Sequence, residues 1–244
     1  MTMELKSNQL YDVFVPYYRD YSKKRKKYLN AIDDLIKKHI YKPTRVLDVG
    51  AGDGVRGKKV FKEINGKLLI QIDSSERMFK EIELENGVKK IKMDISSKSA
   101  ISELNTNFDL VLCLWNVFGH ISTSKKRKQA LVNIHKLIKP GGLLILDVSN
   151  AYNIRQYGLI TVLKNIFHNI VNRESGVDAT YPINMSTSSC FYTKSHFFTE
   201  GELISLFKSV GFRVVQKYYV DYNTGKLVVS QYLGQLLFVL SPLD

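Results

Sequence analysis

The sequence predicts one α/β domain over residues 1–244, built on a doubly wound and mostly parallel sheet. From Arg45 onward, five short apolar runs alternate with stretches of helical character. Strands that alternate with helices form parallel sheets with right-handed crossovers. The last two apolar runs are joined by a connection without a helix. Because a parallel return needs a crossover, the last strand is expected to run antiparallel.

The five apolar runs are "RVLDVG", "KLLIQID", "VKKIKMD", "FDLVLCLW" and "GGLLILDV". A helix is predicted after each of the first four: from about Val55, from Ser75, in "SKSAISEL", and over 123–138. The "KPGG" segment at 139–142 is expected to form the turn that ends the fourth crossover helix and opens strand five.

Two further segments are predicted to cover the sheet. Aromatic and apolar residues recur at helical spacing before residue 41, which predicts an N-terminal helical lid over 1–41, broken near Pro16 or Ser22. Residues 149–198 form a long interval after strand five, with an amphipathic helix expected over 154–171 and a strand-like stretch in "SSCFYTKSHF". An insertion at the carboxyl end of a strand is a common place for a substrate lid.

Composition excludes several classes of protein. A chain of 244 residues that is 44% hydrophobic can bury a full core. Its two cysteines, Cys113 and Cys190, form neither a disulfide framework nor a metal quartet, so we expect no metal. No stretch approaches the roughly 18 consecutive apolar residues that span a bilayer, and the first residues lack a signal-peptide core. We therefore expect a cytoplasmic protein without a membrane partner.

The formal net charge of +13 raises the question of a nucleic-acid partner. The densest basic runs are "KKRKK" at 23–27 and "KKRK" at 125–128, each inside a predicted helix. A solvated helix face explains both runs, and an RNA-facing patch is the alternative. The sequence leaves the oligomeric state open.

The glycine loop after strand one, in "RVLDVGAGDGVRGKK", fits two patterns. Gly52, Gly54 and Gly57 spell the G-x-G-x-x-G of a dinucleotide site, whereas Asp48 begins a D-x-G-x-G-x-G that passes through Gly50. In a dinucleotide site the first glycine follows the strand directly, and the first pattern starts two residues too late. We therefore expect Gly57 to be an ordinary residue of the early helix.

Five motifs in order resemble the motif series of class I S-adenosylmethionine-dependent methyltransferases of the small-molecule type. They are "LDVGAGDG", "IDSS", "MDI", "FDLVLCLWNVFGHI" and "IKPGGLLILDVSN", and they cover residues 45–150. The resemblance implies a Rossmann-like sheet of seven strands with the last one antiparallel. It also implies S-adenosylmethionine as the cofactor and S-adenosylhomocysteine as the product.

The same resemblance implies which residues hold the cofactor. Asp73 would accept both ribose hydroxyls, Asp94 would receive the adenine amino group, and Asp48 would orient the loop and face the cationic end. Strand-end capping is the alternative for these three acids. The residues expected to bind the cofactor are Asp48, Gly50, Ala51, Gly52, Gly54, Asp73, Ser74, Met78, Asp94, Ile95, Leu114, Trp115, Tyr11 and Tyr21.

Methyl transfer is an in-line displacement, so positioning and desolvation can supply most of the rate and a base is optional. Tyr18 resembles the lid tyrosine of small-molecule members of the family. His120 follows strand four and could deprotonate the acceptor, with a structural histidine as the alternative. Asn116 ends strand four and could orient the acceptor, with turn capping as the alternative.

Strand four ends in "LWNV" and lacks the motifs of the nucleic-acid base methyltransferases, N/D-P-P-Y/F and Pro-Cys. The sequence therefore favours methyl transfer to O or N of a small-molecule acceptor. Two alternatives stay open: an RNA (tRNA) methyltransferase that docks through the basic runs, and a non-catalytic protein that binds S-adenosylmethionine.

Overall fold

The computed structural model describes residues 2–105, 107–172, 175–186 and 189–243. The strands are β1 (Thr2–Glu4), β2 (Arg45–Val49), β3 (Leu68–Asp73), β4 (Val88–Lys92), β5 (Phe108–Cys113), β6 (Ile138–Val148), β7 (Val177–Ser186), β8 (Ser189–Phe197), β9 (Phe212–Val220), β10 (Leu227–Val228) and β11 (Gln235–Pro242). The helices are α1 (Ser7–Lys24), α2 (Lys26–His39), α3 (Val55–Glu63), α4 (Glu76–Glu81), α5 (Ala100–Leu104), α6 (Ser124–Leu137), α7 (Ile154–Tyr157), α8 (Leu159–Asn172) and α9 (Glu200–Ser209).

The larger sheet has the strand order β10-β9-β11-β6-β5-β2-β3-β4. Five neighbouring strands pair in parallel: β4, β3, β2, β5 and β6. Strand β11 lies antiparallel between β6 and β9. The predicted doubly wound sheet with an antiparallel last strand is confirmed. The strand count is eight rather than the expected seven, because the short edge strand β10 follows the turn after β9.

The core consists of an apolar layer on each face of this sheet. Helices α2 and α3 contribute to one layer, through residues such as Ile32 and Val60. Helices α5, α6 and α9 contribute to the other, through residues such as Leu131 and Phe207. Parallel strands that are apolar along nearly their whole length require a sheet that is covered on both faces.

The break between the two N-terminal helices, predicted near Pro16 or Ser22, lies at Arg25, close to the second of these positions. Helix α1 continues through Pro16 and ends at Lys24, and Arg25 separates it from α2. Proline cannot donate to the carbonyl four residues earlier, which is that of Asp12. The guanidinium of Arg77 in α4 donates to this carbonyl at 3.4 Å. This side chain therefore supplies the hydrogen bond that the Asp12 carbonyl cannot receive within its own helix.

Two local predictions were wrong. The "KPGG" segment is not a turn before strand five: α6 ends at Leu137, β6 starts at Ile138, and the segment bulges out where the β5–β6 register shifts. The helix expected over 154–171 is divided at Gly158, whose φ is +81°. In its second part, α8, Asn165 and Asn169 bond to the domain, whereas most of the large apolar side chains are exposed.

A second sheet of three strands was not predicted. β7 and β8 form an antiparallel hairpin within residues 149–198, and β1 pairs with β8 in parallel. The start of the chain and the insertion therefore form one structure over the sheet.

Gly57 has a structural role that the sequence interpretation missed. It lies in the first turns of α3, where a Cβ atom would be 2.0 Å from Oδ2 of Asp48 and 2.7 Å from Nε2 of Gln71. Both side chains are buried in the sheet. The expectation of an ordinary helix residue is wrong, because only glycine lets α3 approach β2 and β3 this closely.

We predict that Gly57→Ala lowers the free energy of unfolding by about 1–3 kcal/mol, since buried polar atoms must move to admit the methyl group. Urea denaturation measures the change. The matched control is Gly201→Ala in α9, where a Cβ atom meets nothing within 4 Å. This control should be neutral or stabilising, by up to about 1 kcal/mol. Equal free energies of unfolding for the two variants would contradict the role assigned to Gly57.

Candidate functional site

A cavity of about 930 Å³ opens at the carboxyl ends of the parallel strands. Its walls include Gly50 after β2, Asp73 at the end of β3, Asp94 after β4 and Leu114 after β5. Strand order reverses between β2 and β5, which is the position where open α/β sheets bind ligands. Residues of α1 and β8 form the opposite wall.

The glycine loop brings bare backbone to this cavity. Gly50 and Gly52 have φ angles of +68° and +60°, a region that residues with a side chain rarely adopt. A Cβ atom on Gly50 would lie 2.4 Å from Cγ1 of Val117, and one on Gly52 would lie 2.8 Å from the Tyr18 hydroxyl. Both positions therefore require glycine, because their φ angles are positive and because a side chain would collide with a neighbouring residue.

Asp73 is held by two backbone donors. Its Oδ2 accepts from the Gly52 N–H at 2.8 Å, and its Oδ1 accepts from the Ser75 N–H at 2.8 Å. Burial raises the pKa of Asp73 to about 6, against the lowering effect of these hydrogen bonds. Each carboxylate oxygen retains further capacity to accept a hydrogen bond, so the site offers a fixed acceptor to a ligand hydroxyl.

Asp48 lies behind the loop and does not line the cavity. Burial raises its pKa to about 6, and the Gln71 amide opposes this by donating to Oδ2 at 3.0 Å. The same Nε2 donates to the Gly54 carbonyl at 2.9 Å. Asp48 thus supports the loop from behind, and its contact with the cationic end of a cofactor stays a prediction. Gln71 was missed, although a polar residue inside "LLIQID" was a signal for it.

The wall beyond β4 differs from the expectation at one position. Asp94 and Ile95 line the cavity as expected, as does Ser74, and Ser96 donates to Oδ1 of Asp94 through both its N–H and its hydroxyl. Met78 is 1% exposed and is not part of the wall. Met93 lines the wall instead. Met93 directly follows β4, whereas the side chain of Met78 in α4 is buried away from the cavity.

Three other expected residues support the cavity from outside its wall: Ala51, Gly54 and Tyr21. Tyr21 stacks on Trp115, with ring centroids 5.5 Å apart, and Trp115 itself lines the cavity. Asn116 also lies outside. Its Nδ2 donates to Ser195 Oγ at 2.8 Å and its Oδ1 accepts from the Ser149 N–H at 3.0 Å. Asn116 thus ties β8 to the end of β6, which agrees with the capping alternative.

Helix α1 is fastened over the cavity by polar contacts. Asp12 Oδ1 accepts from Ser75 Oγ at 2.6 Å and from the Arg77 N–H at 2.9 Å. Arg19 pairs with Asp53 of the glycine loop at 3.1 Å. Tyr18 of the same helix lines the cavity, and burial raises the pKa of its phenol, which therefore stays neutral and able to donate.

Tyr11 and His120 meet inside the cavity wall. The Tyr11 hydroxyl lies 3.2 Å from His120 Nε2, and the two rings pack edge to face at 5.4 Å. Burial lowers the pKa of His120 to about 4. The imidazole is therefore neutral near pH 7 and can accept a hydrogen bond, but it is a weak base.

The basic runs present fewer arginines to solvent than their sequences suggest. Arg25 lies 4.4 Å above the Tyr222 ring and donates to Asn223 Oδ1 at 2.7 Å. Arg127 is 6% exposed and lines the cavity. Within the described residues, no group of three His, Cys, Asp or Glu side chains is placed to hold a metal ion. No described helix is long and apolar enough to cross a membrane.

Comparison with known proteins places this geometry in context. The profile of a methyltransferase domain family matches residues 18–217. The glycine N-methyltransferase of Rattus norvegicus is 33% identical over 139 residues, which is 51% of this chain and 46% of that protein. The chain thus spans about half the length of the curated relatives it matches.

Two solved structures share the fold. An S-adenosylmethionine-dependent methyltransferase from Clostridium acetobutylicum superposes with a TM-score of 0.63 at 16% identity, covering 95% of this chain and all of that one. An S-adenosylmethionine-bound amino pentose methyltransferase from Micromonospora echinaspora gives 0.60 at 17%, covering 94% and 96%. The Rossmann-like sheet with added N-terminal helices is therefore the fold of this chain.

We predict that His120 makes the folded state sensitive to acid. Its folded pKa of about 4 lies below the ordinary 6.5, so the unfolded chain binds the proton first and stability falls as pH drops from 6.5 towards 4. Replacing His120→Gln should reduce the loss of unfolding free energy between pH 7 and pH 5 by about 2 kcal/mol. Urea denaturation at both pH values measures this.

Tyr11→Phe is the control, because it keeps the buried imidazole and should keep the pH dependence. If His120→Gln loses as much stability as the wild type between these pH values, the burial of a neutral imidazole is refuted.

Proposed function

Because the chain belongs to the methyltransferase domain family, the class I S-adenosylmethionine-dependent enzymes, we propose that it methylates a nitrogen of a small molecule. The product of the cofactor would be S-adenosylhomocysteine. One observation carries this proposal: a single cavity is lined by the glycine loop, by Asp73 and by residues of α1 and β8. Such a cavity can hold a cofactor and a small acceptor together.

The residues present fit the cofactor. Asp73 offers a fixed carboxylate to a ribose diol, and Asp94 lies beside apolar Met93 and Ile95, as an adenine ring with an amino group requires. Gly50 and Gly52 expose backbone where a side chain would collide. When bound, the cofactor supplies a methyl group on a positively charged sulfur.

The properties of His120 favour nitrogen over oxygen as the acceptor atom. A histidine whose pKa is about 4 is too weak a base to deprotonate an alcohol, but a neutral amine already carries the lone pair that attacks. His120 can accept a hydrogen bond from the acceptor N–H and so direct that lone pair. After transfer the proton passes to solvent, since this imidazole does not retain it near neutral pH. The names of the relatives, glycine N-methyltransferase and amino pentose methyltransferase, support an amine acceptor.

Enclosure favours a small acceptor over RNA. Residues 1–41 and 149–198 serve as two parts of one lid, joined by the pairing of β1 with β8. Of the arginines in the two basic runs, Arg127 is buried and Arg25 is half-buried and bonded to Asn223. An RNA strand would therefore meet mainly lysines.

We predict that Asp73→Asn weakens S-adenosylhomocysteine binding about 10- to 100-fold, the usual effect of losing a charged hydrogen-bond acceptor. Isothermal calorimetry measures the affinity. Asp109→Asn is the matched control, since Asp109 is the second residue of β5, at the opposite end of the strands from the cavity, and accepts from Arg45 N–H. Unchanged affinity in the Asp73 variant would remove this carboxylate from the cofactor site.

We also predict that the wild type transfers label from methyl-labelled S-adenosylmethionine to a small-molecule fraction of a cell extract. Asp73→Asn should transfer little at the same cofactor concentration. Label found in the RNA fraction would support the RNA alternative. Tight S-adenosylhomocysteine binding with no transfer to any fraction would refute the proposed function and leave a non-catalytic binding protein.

A further inference from the structure

Arg127 is a buried cation without a direct ion pair. It lies in the first turn of α6, is 6% exposed, and lines the same cavity as Tyr11 and His120. Its Nη1 donates to the Ile121 carbonyl at 3.1 Å, and its guanidinium lies 5.7 Å from the centre of the Phe198 ring. Within the described part of the chain, no carboxylate oxygen lies within 4.0 Å of it. A buried charge that lacks a partner is costly to fold.

The nearest acids already have a partner. His196 lies between them, with Nδ1 2.6 Å from Asp178 Oδ1 and Nε2 2.9 Å from Glu202 Oε1. These carboxylates act on Arg127 only from beyond contact distance. The imidazole, 7% exposed, fixes both of them, so they cannot swing towards the guanidinium without giving up these bonds.

Four lysines line the same cavity: Lys6, Lys92, Lys126 and Lys194. Lys126 precedes Arg127 in α6, and Lys194 of β8 pairs with Glu4 at 2.9 Å. All four lysines are exposed, so Arg127 is the buried cation among these five side chains. One deeply placed guanidinium with flanking lysines suits a planar anion, because a guanidinium can donate two parallel hydrogen bonds to a carboxylate.

We propose that the methyl acceptor is an amine that also carries a carboxylate, and that Arg127 binds this carboxylate. The inference rests on the proposed function and narrows its substrate class. Asp73, the Tyr11 and His120 pair and Arg127 line the same cavity, and Arg127 donates to the carbonyl of Ile121, the residue after His120. An acceptor anchored by its carboxylate at Arg127 directs its amine back towards the cofactor.

The chemical class of the methyl acceptor is tested by analysing the methylated product. Wild-type enzyme is incubated with methyl-labelled cofactor and a small-molecule extract, and the labelled product is passed over an anion exchanger at pH 11, where amines are uncharged. We expect retention, and loss of retention after the carboxylates are converted to amides with a carbodiimide and methylamine. A labelled product that is not retained overturns this inference alone, whereas the absence of any labelled product overturns the proposed function.

The role of Arg127 is tested by variants on the labelled-product reaction. Arg127→Gln should raise the KM for the active fraction about 30-fold or more, and Arg127→Lys about 10-fold, because a single ammonium cannot make the paired hydrogen bonds. S-adenosylhomocysteine affinity should stay within about twofold of the wild type. Arg155→Gln is the control, since Arg155 pairs with Asp221 outside the cavity.

Thermal melting with S-adenosylhomocysteine separates binding from folding. If Arg127→Gln does not fold, Arg127→Lys keeps the buried charge and carries the test. An unchanged KM in a folded Arg127 variant, or an equal loss of cofactor affinity, overturns the assignment of Arg127 to the acceptor carboxylate.

Discussion

One buried amide, that of Gln71, fixes the glycine loop on which the site depends. Its nitrogen donates both to the Asp48 carboxylate and to the Gly54 carbonyl, which sets the height of the loop above the sheet. From the loop, the Gly52 N–H reaches Asp73, and Asp73 accepts in turn from Ser75. The Ser75 hydroxyl then donates to Asp12 of α1. A continuous series of hydrogen bonds thus connects the centre of the sheet to the helix that covers the cavity.

The other side of the cavity is closed by a second set of contacts, centred on the end of β6. Asp147 accepts from the Tyr28 hydroxyl and, at 2.9 Å, from the Trp115 N–H, so one buried carboxylate positions both α2 and the turn after β5. Asn116, the next residue of that turn, holds Ser195 of β8. The residues Trp115 and Asn116 both have positive φ, a costly conformation that these hydrogen bonds maintain.

The molecule as a whole is positively charged, whereas carboxylates lie at the base of its cavity. A net charge of +13 describes the surface, whereas the floor of the cavity rests on carboxylates whose pKa values are raised by burial, those of Asp48 and Asp73. Arg127 is the buried cation of the cavity lining, whereas the lysines of the lining are exposed. The Asp73 carboxylate and the Arg127 guanidinium thus line one cavity, which suits a ligand with separated charges.

The sequence by itself determined the sheet, the direction of its last strand, and the strand ends that carry Gly50, Gly52, Asp73 and Asp94. These features follow from periodicity and from short motifs, which depend on neighbours along the chain. Only the tertiary structure decided that Met93 rather than Met78 lines the wall, that Asp48 supports the loop from behind, and that Gly57 must lack a side chain. It also decided that Arg127 of a basic run turns inward. Each of these depends on atoms from distant segments meeting within a few ångströms, and no local pattern records which segments will meet.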